Sequence, residues 1–331
     1  MWRRALLLVV GAIALAPATA FADAAGPSDF QSRVTSVEPA TPEVEVTVEG
    51  GDSFLMLKAR KGTVVTVPGY EDEPFLRFEA DGTVLENTAS YTAIVSRSRY
   101  MSADPHIAHD TAPRWHQVAD GGAYAWHDHR IHWMSPGDPP GKRPGDVILR
   151  SQIPIVVGSV NVVVTVESVW LPPPSPLPAW IGGVAGAALI AGALTLQKRQ
   201  RMVAGLLVVD LAVLAVVVGW WQYHSLPAET GPSALWFALP LVALAAAVAR
   251  VALRKPLTGE ALALLAGANL AIWGWQRRDD LVRAALPTNA PWWLDRAVSA
   301  AALTGGTVVA VAALVALGTA VVAPQRLTSA S

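Results

Sequence analysis

An all-β sandwich followed by an α-helical membrane domain of five transmembrane helices is the fold class this sequence predicts. Three observations predict it. Of 331 residues, 52% are apolar and only 15% are charged. The apolar excess is concentrated after about residue 179, in long runs of Ala, Leu, Val and Gly. Before that point the chain reads as short β-branched segments broken by turn residues, the spacing of a two-sheet β domain.

In chain order, residues 1–22 read as a signal peptide. Arg3 and Arg4 supply the positive region, Ala5–Leu15 the apolar region, and Ala18-Thr-Ala20 or Ala20-Phe-Ala22 the small-x-small cleavage pattern. The apolar run is shorter than the ~20 residues a span needs, which favours cleavage over anchoring. Residues 23–170 then form an exported β domain. Its expected strands are Arg33–Val37, Val44–Val48, Phe54–Ala59, Thr63–Val67, Phe75–Glu79, Thr83–Glu86, Val147–Val156 and Val160–Trp170. Turn signals such as Gly50-Gly51, Lys61-Gly62, Asp81-Gly82 and Val157-Gly158-Ser159 separate them. Glu71-Asp72-Glu73-Pro74 reads as a solvated acidic loop.

Residues 171–178, with five prolines, form a stiff polyproline linker. Residues 179–323 carry five hydrophobic segments near 179–196, 203–221, 233–249, 257–275 and 297–322, each close to a bilayer's length. Gln197–Arg201 and Arg250–Lys255 are basic without acids, whereas the loop from Gln222 to Ser233 has no Lys or Arg. The positive-inside rule therefore places the β domain outside the cell membrane and residues 324–331 in the cytoplasm.

The densest chemistry lies in Ala123–Met134, where His127, His129 and His132 fall within six residues. With His106, His109 and His116, six of the seven histidines sit between positions 106 and 132. Neutral imidazole is the commonest protein metal ligand and suits copper and zinc. On one strand, His127 and His129 share a face about 7 Å apart at Cα. If Asp120-Gly121-Gly122 closes a hairpin with a two- or four-residue turn, His116 pairs with Ala125 and joins that face. A three-residue turn sends it to the other face. His132 is out of phase with His129 and joins only if the strand ends or bulges near Ile131. His106 and His109 read chiefly as solvated loop residues that could extend the site. Met134 and Met101 would favour Cu(I) on approach, though a Met beside aromatics is more often packing. The competing reading is a structural network, with Asp128 paired to Arg130 and the imidazoles packed among Trp115, Trp126 and Trp133.

The segment Gly122-Ala-Tyr124-Ala-Trp126-His127-Asp-His129 resembles the His-x-His strand of cupredoxin-type copper domains, such as those of multicopper oxidases. That resemblance implies a cupredoxin- or immunoglobulin-like sandwich, with copper held by His127 and His129. The chain departs from the family in having no cysteine, so blue-copper and oxidase chemistry are not implied. Architecturally, an exported β domain on a polytopic membrane part is similar to bacterial copper-resistance proteins. The expected cofactor is copper, with zinc as the alternative. The expected partners are the metal ion, the lipid bilayer and another envelope or copper-handling membrane protein. A net charge of -1 gives no reason to expect nucleic acid.

Asp210 interrupts the second apolar segment and is a functional candidate there, with a capped or snorkelling residue near the segment's start as the competing reading and Asn269 as a candidate partner. The function expected is membrane-anchored, extracytoplasmic copper handling. A non-metal envelope interaction module is the first alternative. A zinc-dependent hydrolase, with Asp120 or Asp128 as base, is the second.

Overall fold

The computed structural model describes residues 25–97, 99–100, 112–135, 137–195, 201–253 and 256–328. The signal segment, Met101, His106 and His109 lie outside the described residues. Among the described residues, ten strands precede the long helices: β1 Phe30–Glu38, β2 Val44–Glu49, β3 Phe54–Ala59, β4 Val65–Pro68, β5 Pro74–Phe78, β6 Val84–Asn87, β7 Trp115–Ala119, β8 Ala123–His127, β9 Val147–Val157 and β10 Val160–Trp170. A short helix among the described residues, α1 (Tyr91–Val95), lies between β6 and β7.

The strands form two antiparallel sheets. One has seven strands in the order β1-β10-β9-β4-β5-β6-β7, the other three in the order β2-β3-β8. Alternation explains which residues face inward. On β9 and β10, Ile153, Ile155, Val157, Val162, Val164 and Val166 are buried, every second residue along each strand. They meet Leu55, Leu57 and Trp126 of the smaller sheet in one shared core. Gly158, at φ 60°, makes the tight connection between β9 and β10.

The expected β7–β8 hairpin does not form. β7 pairs with β6, setting His116 opposite Glu86, while β8 pairs with β3, setting His127 opposite Phe54. Gly121 and Gly122, at φ 86° and 74°, carry the chain from one sheet to the other. Gly122 accepts from Ala59 N at 2.8 Å and donates to Gly82 O at 2.8 Å. A Cβ there would stand 2.7 Å from Ala59 O, so the crossover needs glycine both for its dihedral and for its closeness.

Five helices complete the chain: α2 (Leu177–Thr195), α3 (Arg201–His224), α4 (Leu235–Leu253), α5 (Pro256–Gln276) and α6 (Trp292–Thr328). All five are long and apolar enough to cross a membrane. Small residues let them approach closely, as membrane helices do without a hydrophobic drive between them. Gly182 and Gly186 of α2 lie against Ala297 and Ala301 of α6, and Gly267 and Gly274 of α5 face Gly306 and Leu303 of α6.

Where these helices meet the β domain, Arg277 binds both carboxylate oxygens of Asp295 at 2.7 and 2.6 Å, and also Ser299 Oγ and Gln222 Oε1. That one guanidinium ties the ends of α3, α5 and α6 together. The β domain docks on the same end. Ser28 and Ala285 exchange backbone hydrogen bonds at 3.0 and 2.8 Å, and Asp29 pairs with Arg283. Leu226, from the α3–α4 connection, packs with Phe54 and Ala125.

Asp210 lies exposed on the outer surface of α3 rather than inside the bundle. Asn269 is buried but donates to Leu265 O of its own helix at 2.8 Å. The expected Asp210–Asn269 pair is therefore not made.

Helix packing gives the first prediction. In Gly306→Ala the new methyl would stand 2.6 Å from Ala271 N and 2.8 Å from Gly267 O. It should cost about 1–3 kcal/mol, seen as a lower thermal midpoint of the full chain in detergent. Gly318→Ala, with nothing within 4 Å of the added carbon, should leave the midpoint unchanged.

Candidate metal centre

Strand β8 ends at His127, and the chain continues as a tight loop rather than as more strand. The loop is built on Asp128, whose side chain is fully buried. Its carboxylate accepts from Arg130 N and Arg130 Nε, both at 2.9 Å, from an Arg130 terminal nitrogen at 2.7 Å, and from Trp126 Nε1 at 3.0 Å. Burial alone would raise this carboxyl, but the Arg130 charge and these hydrogen bonds overcome it and hold Asp128 below the usual carboxylate range. Ile131 N then donates to Asp128 O at 3.1 Å, and the fully buried Ile131 side chain fixes the far side of the turn.

This turn brings three imidazoles together. Ring centroids of His127 and His132 are 4.9 Å apart, those of His129 and His132 5.5 Å, and those of His127 and His129 5.7 Å. One nitrogen from each ring lies within 4.8 Å of the other two. Ligands about 2.0–2.1 Å from a tetrahedral ion sit roughly 3.3–3.4 Å apart, so modest ring rotations would close the set.

His127 and His132 are almost fully buried. Neither ring nitrogen of His127 makes a hydrogen bond, nor does Nε2 of His132. The Ser53 backbone lies near the His127 ring without reaching hydrogen-bond geometry. His132 Nδ1 meets Trp133 O at 3.2 Å. With Nδ1–H donating there, the lone pair falls on Nε2, the orientation that outer partners commonly give a metal-binding histidine. Burial, then the neighbouring imidazoles and the Arg99 charge, push His127 down to about 3. Burial and Arg99 do the same to His132. Both rings are therefore neutral, the form that binds metal.

Charges around the cluster are paired off. Arg99 forks onto Asp52, which is fully buried, and Arg130 is held by Asp128. Tyr70 braces the remaining histidine: its hydroxyl accepts from His129 N at 2.8 Å, and its ring stacks on the His129 ring at 5.9 Å. The Arg130 guanidinium lies 5.0 Å over the Tyr70 ring.

Of the histidines expected at the site and described, the structure brings together His127, His129 and His132. His116 is exposed on β7 in the other sheet, the direct result of the missing hairpin. Met134 is exposed at the surface. The acidic loop is only partly solvated, because Glu73 accepts from Ser90 Oγ at 2.7 Å and Thr92 N at 2.9 Å and so anchors α1 beside Tyr70. Tyr70, Asp52 and Arg99 are additions to the expected site; they reach it across the fold, and no local spacing marks them. No protein-family model, characterised protein or solved structure matches this chain.

The Asp128 turn yields the second prediction. Asp128→Ala leaves the Arg130 guanidinium largely buried without its partner and should cost about 3–5 kcal/mol. Urea unfolding of the metal-free full chain, followed by tryptophan fluorescence, would show it. Glu43→Ala, at an exposed position, should stay within about 0.5 kcal/mol of wild type.

Proposed function

We propose that this multi-pass membrane protein binds one transition-metal ion, copper by preference, through His127, His129 and His132, and serves in copper handling at the cell envelope. The observation that carries this reading is the burial of convergent imidazole nitrogens with no hydrogen-bond partner. Each such nitrogen costs about 1–3 kcal/mol unless something fills it. A purely structural histidine network would have used those atoms; a metal ion uses them as ligands.

Copper is favoured over zinc on two grounds. An all-imidazole set follows the general affinity order in which Cu(II) exceeds Zn(II). The Trp126-His127-Asp-His129 segment also resembles the copper-binding strand of cupredoxins. The third ligand would depart from that family, coming from the turn at His132 rather than from a cysteine. Hydrolase chemistry has less support: Asp128 is committed to Arg130, and Asp120 is exposed in the connection between the two sheets.

The proposed orientation puts the β domain outside the membrane and the C-terminus in the cytoplasm. Basic residues at Gln197–Arg201 and Arg250–Lys255 support it. The other end of the bundle carries four arginines, Arg277, Arg278, Arg283 and Arg296, against six basic residues, Lys198, Arg199, Arg201, Arg250, Arg254 and Lys255, at the proposed cytoplasmic end. In this reading the ion is taken from, or passed to, another copper-handling protein of the envelope.

Full-length protein offered copper and zinc together should retain about one equivalent of copper. The His127→Ala/His129→Ala double variant, still folded by circular dichroism, should retain none. Metal-free wild type, or binding that ignores the double change, would contradict the proposal and leave a partner-binding module as the better reading.

A further inference from the structure

β8, the strand that ends in His127, is the edge of its sheet. The Ala59 N to Gly122 O bond sets the ladder's alternation, so in the Met56–Ala125 pair the Ala125 amide points away from β3. Ala125 is buried, and an unmet amide there would be costly. Its partner comes from the helical part of the chain: Glu229 Oε1, in the connection between α3 and α4, accepts from Ala125 N at 3.1 Å.

A second need arises at His127. An imidazole gives a metal one nitrogen, and the other, as N–H, requires an acceptor. His132 finds one in Trp133 O, whereas neither nitrogen of His127 makes a full hydrogen bond, the Ser53 backbone being a neighbour that falls short of it. His127 lines a cavity of about 90 Å³ shared with Tyr124, Glu86, Thr230 and Glu229. A polar cavity of that size has room for ordered water. Phe54, whose ring lies edge-on to His127 at 5.7 Å, packs on Leu226 in the same α3–α4 connection.

We propose that Glu229 completes the metal centre from the helical side. It fixes edge strand β8 at Ala125, two residues before the ligand His127, and borders the same small cavity as that histidine. Glu229 is then a positioning residue, and metal binding is coupled to the docking of β8 on the α3–α4 connection. This rests on the three-histidine reading. Coupling between two such events is reciprocal: what tightens the docking tightens the metal, and the metal tightens the docking.

The test uses the full chain in detergent, with copper alone as the probe. Glu229→Ala should weaken copper binding about tenfold, the low end of losses from an outer partner of a ligating histidine. It should also alter the Cu(II) electron paramagnetic resonance spectrum. Glu229→Gln, which keeps an acceptor for Ala125 N, should recover affinity to within about threefold of wild type. Copper should slow amide exchange at residues 123–127 and 226–231 in wild type and not in Glu229→Ala. Wild-type affinity and spectrum in a folded Glu229→Ala would overturn the inference while leaving the three-histidine site standing. Absence of copper binding in wild type itself would remove both.

Discussion

The buried carboxylate of Asp128 is the constraint on which the rest of the candidate centre depends. A strand continued past His127 would place His132 on the opposite face from His129, because side chains alternate. Asp128 stops the strand by drawing in Arg130, its backbone amide and the Trp126 indole at once. The chain then turns over Ile131, and three imidazoles that alternation would separate come to face one point. A charge buried this completely is tolerable only because Arg130 and three kinds of N–H donor surround it.

The same pairing of polar groups runs through the contact between the two parts of the chain. Edge strand β8 would leave the Ala125 amide unmet without Glu229, and the ends of α3, α5 and α6 would carry unpaired charges without the Arg277–Asp295 pair. Backbone bonds between Ser28 and Ala285 and the Asp29–Arg283 pair add a second seam. The helices thus do more than hold the β domain at a surface: they supply polar partners that the β domain lacks on its own. That arrangement is what makes a metal centre responsive to the helical part physically reasonable.

Much of this is legible in the sequence, for reasons that differ by element. Strands β9 and β10 announce themselves as two β-branched runs either side of the turn at Gly158, and the five apolar helices by length and composition alone. His127 and His129 stand out because the chain uses so few histidines elsewhere. The inclusion of His132 hinges on where β8 stops, and Asp128 stops it earlier than Ile131, the expected place for a break. His116 is misplaced by local reasoning because Gly121 and Gly122 permit either a hairpin or a crossing between sheets, and only long-range pairing with Glu86 decides. Tyr70, Asp52, Arg99 and Glu229 are invisible in the sequence for the same reason. Each reaches strand β8 or the histidine turn from tens of residues away, through contacts that exist only once the sheets and helices have assembled.

The most direct test of the proposed centre is X-ray absorption at the copper edge of the loaded full-length protein. The account predicts three nitrogen scatterers bearing the outer-shell pattern of imidazole, falling to two when His132 is replaced by Ala. A copper site with oxygen scatterers alone, or a three-imidazole pattern unchanged in His132→Ala, would contradict it.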